Sequence, residues 1–333
     1  MKTKKERIFY YDLLRAFAII AVIICHVDFY FGPLNTPFEV IAQLTFHDIG
    51  RIGVPIFLMI SGALLLNRDY PNLGDFLKRR FTRIIYPFIF WMILLTLTNV
   101  YFHKSYQYMW NVFIGNPSIM WYFWTLIGIY LAIPIINIFI KEYGDKGCKY
   151  FLAIWFIFII LNTFNMYPLF PYFKLDYFAG FIGYPVLGYY LSTKKFELSD
   201  AKMALLGFGI LLVSLGIFVA YTYSNSLGSV ELMYQNILVV AMGVGLYLFI
   251  EYLDKENKFD SIKNNAVGRV ISSISLYSYG MYFSHVIVIM FMSKINPHSN
   301  LLFPAMFVMT IFISWLLPYI FSKIPYVKIF SGA

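Results

Sequence analysis

Arg15 and His26 stand eleven residues apart in the apolar stretch YYDLLRAFAIIAVIICHV, and Asp12 precedes the arginine by three positions. At about 100° per residue, eleven steps overshoot three helical turns by only about 20°. The two side chains therefore share one helix face, about 16 Å apart along the axis. Asp12 falls on the same stripe. A neutral imidazole, with an unperturbed pKa of about 6.5, can take a proton from a hydroxyl at physiological pH. A guanidinium can hold a phosphate or stabilise charge developing on oxygen. Two readings of the stripe are open. In one, Arg15 snorkels to lipid headgroups with Asp12 as its partner, and His26 is a packing residue bonded to a carbonyl. In the other, all three look into a bundle interior. An ionisable group facing hydrocarbon costs about 2.5–3.5 kcal/mol, so three on one face favour the interior.

A second set, His47, Asp48 and Arg51, opens the segment HDIGRIGVPIFLMISGALLL. Here Arg51 either pairs with Asp48 three residues earlier or meets a ligand. Ser61 and Gly62 lie further along, and small residues there permit close helix packing. Arg79, Arg80 and Arg83 crowd the entry to a later apolar run, where they mark the cytoplasmic side or grip phosphate. Trp121, Tyr122 and Trp124 suit an interfacial aromatic belt. His285 sits mid-run in SYGMYFSHVIVIM, as a structural or a catalytic group. No HExxH, CxxC, Walker loop or glycine-rich nucleotide motif occurs, so neither a resident metal nor an ATP-driven motor is expected. Cys25 and Cys148 are expected in different compartments and therefore unpaired, Cys25 acting as a small hydrophobe.

The elements that must position these groups follow from composition. Of 333 residues 60% are apolar and 13% charged, against about 25% charged in soluble domains; mean hydropathy is +0.69. Charge-free runs such as Ile84–His103, Ser105–Ile140 and Ile295–Ser322 can each hold the roughly 20 apolar residues of a membrane span. Disorder, nucleic-acid binding and a disulfide-stapled scaffold are excluded. The pattern predicts an all-α polytopic bundle of about ten transmembrane helices, near 9–30, 48–66, 83–102, 119–140, 149–166, 176–192, 203–222, 231–251, 269–292 and 301–322. Pro87, Pro134, Pro185 and Pro318 fall inside spans, which membrane helices tolerate. Of 26 Lys and Arg, 21 fall in alternate segments on the N-terminal side and only Lys104, Lys174 and Lys294 opposite. Both termini are thus expected in the cytoplasm, and the net charge of +9 is a positive-inside signal. Arg15 interrupts the first apolar stretch and no small-residue cleavage site follows, so a retained span is expected rather than a signal peptide. The longest polar stretch, 252–268, reads as a cytoplasmic loop, and residues 1–333 as one membrane-embedded domain.

These residues resemble the acyltransferase 3 family of integral-membrane O-acyltransferases. DLLRAFAIIAVIICH is similar to its Arg-x10-His signature, and RIGVPIFLMISGALLL to its second-span pattern ending in a Ser-Gly pair. FLKRRFTRIIYPFIFW resembles the basic entry to span three, MWYFWTLIGIYLAIPII the Trp-aromatic fourth span, and ISLYSYGMYFSHVIVI the late Tyr-x-x-His helix. The matches run in order from about residue 8 to 290. The resemblance implies a membrane-bound, acyl-CoA-dependent enzyme. It would transfer an acyl group, most commonly acetyl, to a hydroxyl of a cell-surface glycan or its lipid-linked precursor. His26 would be the general base and Arg15 would bind or stabilise the donor. Arg79, Arg80 and Arg83 would hold coenzyme phosphates, while Asp12, Arg51, Ser61, Tyr122 and His285 support the site or bind the acceptor. No permanently bound cofactor is implied; acetyl-CoA or another acyl-CoA is a substrate. The expected partners are that donor, the glycan or lipid-linked sugar acceptor and membrane lipids, without nucleic acid. The expected location is the inner (plasma) membrane of a bacterium, as a multi-pass protein. The sequence ends after its last span, so the hydrolase-like domain appended in some relatives is not expected, nor a two-stage mechanism through it. The competing class is an exporter of a polysaccharide precursor, against which no inverted repeat is visible.

Overall fold

The computed structural model describes residues 8–27, 32–115, 120–166, 169, 175, 180–224, 234–295, 300 and 302–332. Lys2, Lys4, Lys5, Arg7 and Lys174, and the expected span ends at 28–30, 119, 176–179, 231–233 and 301, lie outside the described residues. Among those described, the chain is helical and without strands. It runs α1 (Phe9–Ile24), α2 (Pro37–Gly50), α3 (Gly53–Leu65), α4 (Leu73–Tyr101), α5 (Tyr106–Ile114) and α6 (Trp121–Thr163). There follow α7 (Gly183–Thr193), α8 (Asp200–Ser224), α9 (Ile237–Lys255), α10 (Asp260–Lys263), α11 (Ala266–Ile295) and α12 (Phe303–Lys323). Seven of its helical segments are long and apolar enough to cross a membrane: 37–65, 73–101, 121–163, 200–224, 237–255, 266–295 and 303–323.

Two expected spans, 119–140 and 149–166, run together in α6, whose 43 residues would extend about 64 Å if straight. That is twice the hydrocarbon thickness of about 30 Å. Gly144, at φ 56°, breaks the helix. Phe139 and Tyr150 lie on either side with their rings 6.4 Å apart. Eleven residues of straight helix would hold them about 16 Å apart, so the two halves double back on each other. α1 and α7 are described over 16 and 11 residues.

Two helices begin well before their expected apolar starts, each because of a cap. Thr36 and Glu39 form a reciprocal capping box with Pro37 in the first turn, so helix begins eleven residues ahead of Asp48. Asn72 accepts a hydrogen bond from the Asp75 backbone N–H, and α4 carries ten residues below Arg83.

α1 sits at the centre, packed against α2, α3, α9, α11 and α12, with Leu14, Ala18, Ile19 and Ile23 fully buried. Close approach sets its neighbours. A Cβ on Gly53 would lie 2.6 Å from the Ala18 carbonyl oxygen, and one on Gly62 would lie 1.8 Å from the Pro185 carbonyl oxygen. Only a bare backbone lets α3 fit between α1 and α7.

Candidate active site

α1 ends at Ile24, leaving its last carbonyls without helical donors. His26 answers this locally: its Nδ1–H donates to the Val22 carbonyl at 2.6 Å, and its backbone N–H to Ile23 at 3.0 Å. A carbonyl only accepts, so that bond fixes the proton on Nδ1 and leaves Nε2 as the basic nitrogen. On α11 the same device recurs. His285 is fully buried, and its Nδ1–H donates to the Met281 carbonyl at 3.1 Å. The two imidazoles face each other, ring centroids 5.3 Å apart, and His285 Nε2 has no hydrogen-bond partner among the described residues.

Asp12 and Arg15 occupy the N-terminal end of the same face. Asp12 is buried and accepts from Ser275 at 2.8 Å and Ser272 at 3.3 Å, both on α11. Arg15 Nη1 lies 3.8 Å from that carboxylate. The guanidinium borders a cleft of about 460 Å³, walled also by Ser61, Arg68, Arg80, Arg83, Tyr122, Tyr130, Ser275, Ser278, Tyr279 and Tyr282. Four arginines on one concavity make a strongly anion-attracting mouth. Arg80 is held over the rings of Phe76 and Tyr130, at 5.8 and 6.0 Å.

Arg68 reaches the cleft because α6 straps down its loop. Asn137 Nδ2 donates to the Arg68 carbonyl at 2.8 Å, and Lys141, one turn on, pairs with Asp69 at 2.5 Å. Lys141 beside it holds the Asp69 carboxyl below the usual carboxylate range. The Tyr70 hydroxyl closes the loop onto the Leu65 carbonyl.

Tyr282 joins the two halves of the site. It lines the cleft, and its ring lies 5.5 Å from that of Tyr122 and 6.2 Å from that of His285. The histidine pair thus stands one aromatic ring beyond the arginine cleft.

Of the residues singled out from sequence, Arg15, Ser61, Arg80, Arg83 and Tyr122 line the cleft, Asp12 backs it, and His26 and His285 meet outside its lining, beyond Tyr282. The Ser61 hydroxyl donates to the Phe57 carbonyl at 2.9 Å, so it meets the cleft as an acceptor. Arg79 is not among the lining residues; about 100° round the helix from Arg80, its Nε donates to the Asp75 carbonyl. Arg51 lies elsewhere, and its alternative pairing with Asp48 does not occur among the described ion pairs. Arg51 Nη2 meets His47 Nε2 at 3.3 Å, and its guanidinium covers the Tyr234 ring. Sequence reasoning missed Arg68, read only as a topology charge, and Asn137, an amide inside an apolar run that could have been flagged as an intramembrane polar group. Tyr130 and Tyr279 were hidden among 28 tyrosines, and Tyr282 entered only as the tyrosine of the Tyr-x-x-His motif, without a place in the cleft. Among the described residues no three His, Cys, Asp or Glu side chains converge to hold a metal ion. Cys25 and Cys148 are buried and unbridged.

Residues 8–318 match the acyltransferase 3 family model, described as an acyltransferase domain. No curated protein and no solved structure matches. The match spans nearly the whole chain, which belongs to this family, as its motifs had implied; with its apolar helices it is a multi-pass membrane protein.

Proposed function

We propose that this member of the acyltransferase 3 family transfers an acyl group, most commonly acetyl, from cytoplasmic acyl-CoA to a hydroxyl of a cell-surface glycan or its lipid-linked precursor. The observation that carries the reading is the inward stripe of α1. One end opens on a cleft of four arginines and the other presents a histidine with a defined basic nitrogen. In this reading the chain crosses a bacterial plasma membrane ten times, counting α1, α7 and both halves of α6, with both termini in the cytoplasm.

The coenzyme's phosphates rest among Arg15, Arg68, Arg80 and Arg83, where charge-assisted hydrogen bonds are strongest. About 16 Å separates Arg15 from His26 along α1, and the long pantetheine arm spans it past Tyr122 and Tyr282. That separation gives Arg15 to the phosphate end of the donor rather than to the reacting carbonyl. At the far end, His26 Nε2 takes the acceptor's hydroxyl proton as its oxygen bonds to the thioester carbon. The tetrahedral adduct then breaks its C–S bond, and the proton passes from the imidazolium to the departing thiolate. One ester and one free thiol result. The Val22 carbonyl keeps Nδ1 protonated throughout and stabilises the imidazolium.

The test is to incubate the purified protein in lipid nanodiscs with radiolabelled acetyl-CoA and a membrane glycan fraction. The proposal predicts alkali-labile label in the glycan and stoichiometric free coenzyme A. No label, with a donor pool left intact, would overturn it.

A further inference from the structure

A second polar cluster, not used in the acyl-transfer step above, lies where the end of α2 packs against the end of α1 beside His26. Arg51 ends α2 beside Gly50, where an added Cβ would lie 2.6 Å from that of Cys25, the neighbour of His26. Its guanidinium is half-buried. The one carboxylate close in sequence, Asp48, is buried and engaged elsewhere: Thr222 donates to it at 2.9 Å and His47 Nδ1–H at 3.4 Å. His47 Nε2 then accepts from Arg51, so the carboxylate meets the guanidinium only through an imidazole. No carboxylate lies within ion-pair distance of Arg51 among the described residues, and its buried Nε has no hydrogen-bond partner there. Holding a half-buried cation without an anion is costly, and a nearby acid turned away from it leaves its donors to something else.

The surroundings say what that is. The Tyr234 ring lies 5.5 Å beneath the guanidinium, with Trp121 at 5.0 Å and Phe181 at 6.4 Å from it, and Trp121 and Phe181 5.3 Å from each other. Backbone ties fix this wall. The Tyr184 hydroxyl donates to the Tyr234 carbonyl, and Trp155 Nε1 to the Gly180 carbonyl beside Phe181. Rigid aromatic faces offer apolar area to the C–H face of a sugar ring, and an arginine fork matches a carboxylate or phosphate. Trp121 also adjoins Tyr122 of the donor cleft, so the wall and the cleft back onto the same aromatic partition.

We propose that Arg51 and the Trp121–Phe181–Tyr234 wall form the acceptor subsite, and that it selects an anionic saccharide, one bearing a carboxylate or phosphate, over a neutral one. This rests on the acyl-transfer reading for its role, though not for the binding itself. His47 is a positioning residue, carrying the pull of Asp48 to the guanidinium.

The experiment uses the full chain in nanodiscs and saturation-transfer NMR with three probes: methyl glucoside, methyl glucuronide and glucose 6-phosphate. One or both anionic sugars should bind at least about tenfold more tightly than the glucoside, the least that a charged hydrogen bond contributes. Which of the two prevails identifies the carboxylate or the phosphate as the natural group. Arg51→Gln should abolish that advantage, Arg51→Lys should keep part of it, and coenzyme A binding should be unchanged in both. Equal binding of all three sugars, no binding of any, or an advantage that survives Arg51→Gln would overturn the proposal. If Arg51→Gln fails to fold, the comparison of sugars on the wild type and Arg51→Lys still decides. Failure of the acyl-transfer reading shows separately, as anion-selective sugar binding in a protein that never consumes acetyl-CoA.

Discussion

Arg79 and Arg80 are adjacent in sequence and alike in charge, yet only Arg80 borders the cleft, and this contrast gives the sharpest test of the donor site. A hydrogen bond to a charged group contributes about 1.5–3 kcal/mol. Arg80→Ala should therefore raise the KM for acetyl-CoA, and the Kd for coenzyme A, by about 10- to 100-fold. Arg79→Ala removes an equal charge whose Nε is engaged by the Asp75 carbonyl, and should leave both within about threefold, as expected of a screened surface charge. Arg80→Lys should fall between, because the cation stays while the planar fork is lost. Raising ionic strength should weaken donor binding in the wild type and less so in Arg80→Ala. The assay is steady-state turnover of acetyl-CoA in nanodiscs with calorimetric titration of coenzyme A alongside. Equal effects of the two alanine variants, or none from Arg80→Ala, would refute the assignment of the cleft to the donor.

Asn137→Leu removes the donor to the Arg68 carbonyl and should raise donor KM several-fold while kcat changes little; an unchanged KM would show that the strap does not place Arg68. Gly62→Ala forces a Cβ onto the Pro185 carbonyl and should cost about 1–3 kcal/mol of stability, seen as a lowered unfolding temperature in detergent. Asp12→Ala leaves the Ser275 hydroxyl without its acceptor and should destabilise by about 1–3 kcal/mol, again read by thermal unfolding. The Asp69 carboxyl is held low by Lys141. The contribution of their pair is therefore complete above the unfolded carboxylate value of about 3.9 and fades as pH falls through the lowered one. Proteolysis of the 66–72 loop should accordingly be flat from about pH 5 to 8 and rise only in stronger acid.

How much of this was legible in the sequence depends on the range of the signal. The stripe of Asp12, Arg15 and His26 came from helical period alone, and in the structure all three do turn toward α11 or the cleft beside it. Arg80 and Arg83 could be named as cleft candidates, yet Arg79 could not be told from them. Rotation about one helix axis decides which neighbour meets the cleft, and that rotation is set by packing. The capping box at Thr36 and Glu39 starts α2 eleven residues ahead of the expected span start at 48, because hydropathy marks the apolar run and not the polar cap before it. The turn at Gly144 was anticipated as a break between spans without its geometry. The meeting of His26 with His285, and of Arg68 with Asn137, joins residues 259 and 69 positions apart; no local pattern carries such pairings.

The most direct test of the account is single-turnover acyl transfer with His26→Gln beside the wild type, with coenzyme A affinity measured on the same preparations. Donor affinity should be unchanged and transfer slowed by about 10²- to 10⁴-fold, the contribution of a positioned general base. Transfer at the wild-type rate by His26→Gln would contradict it.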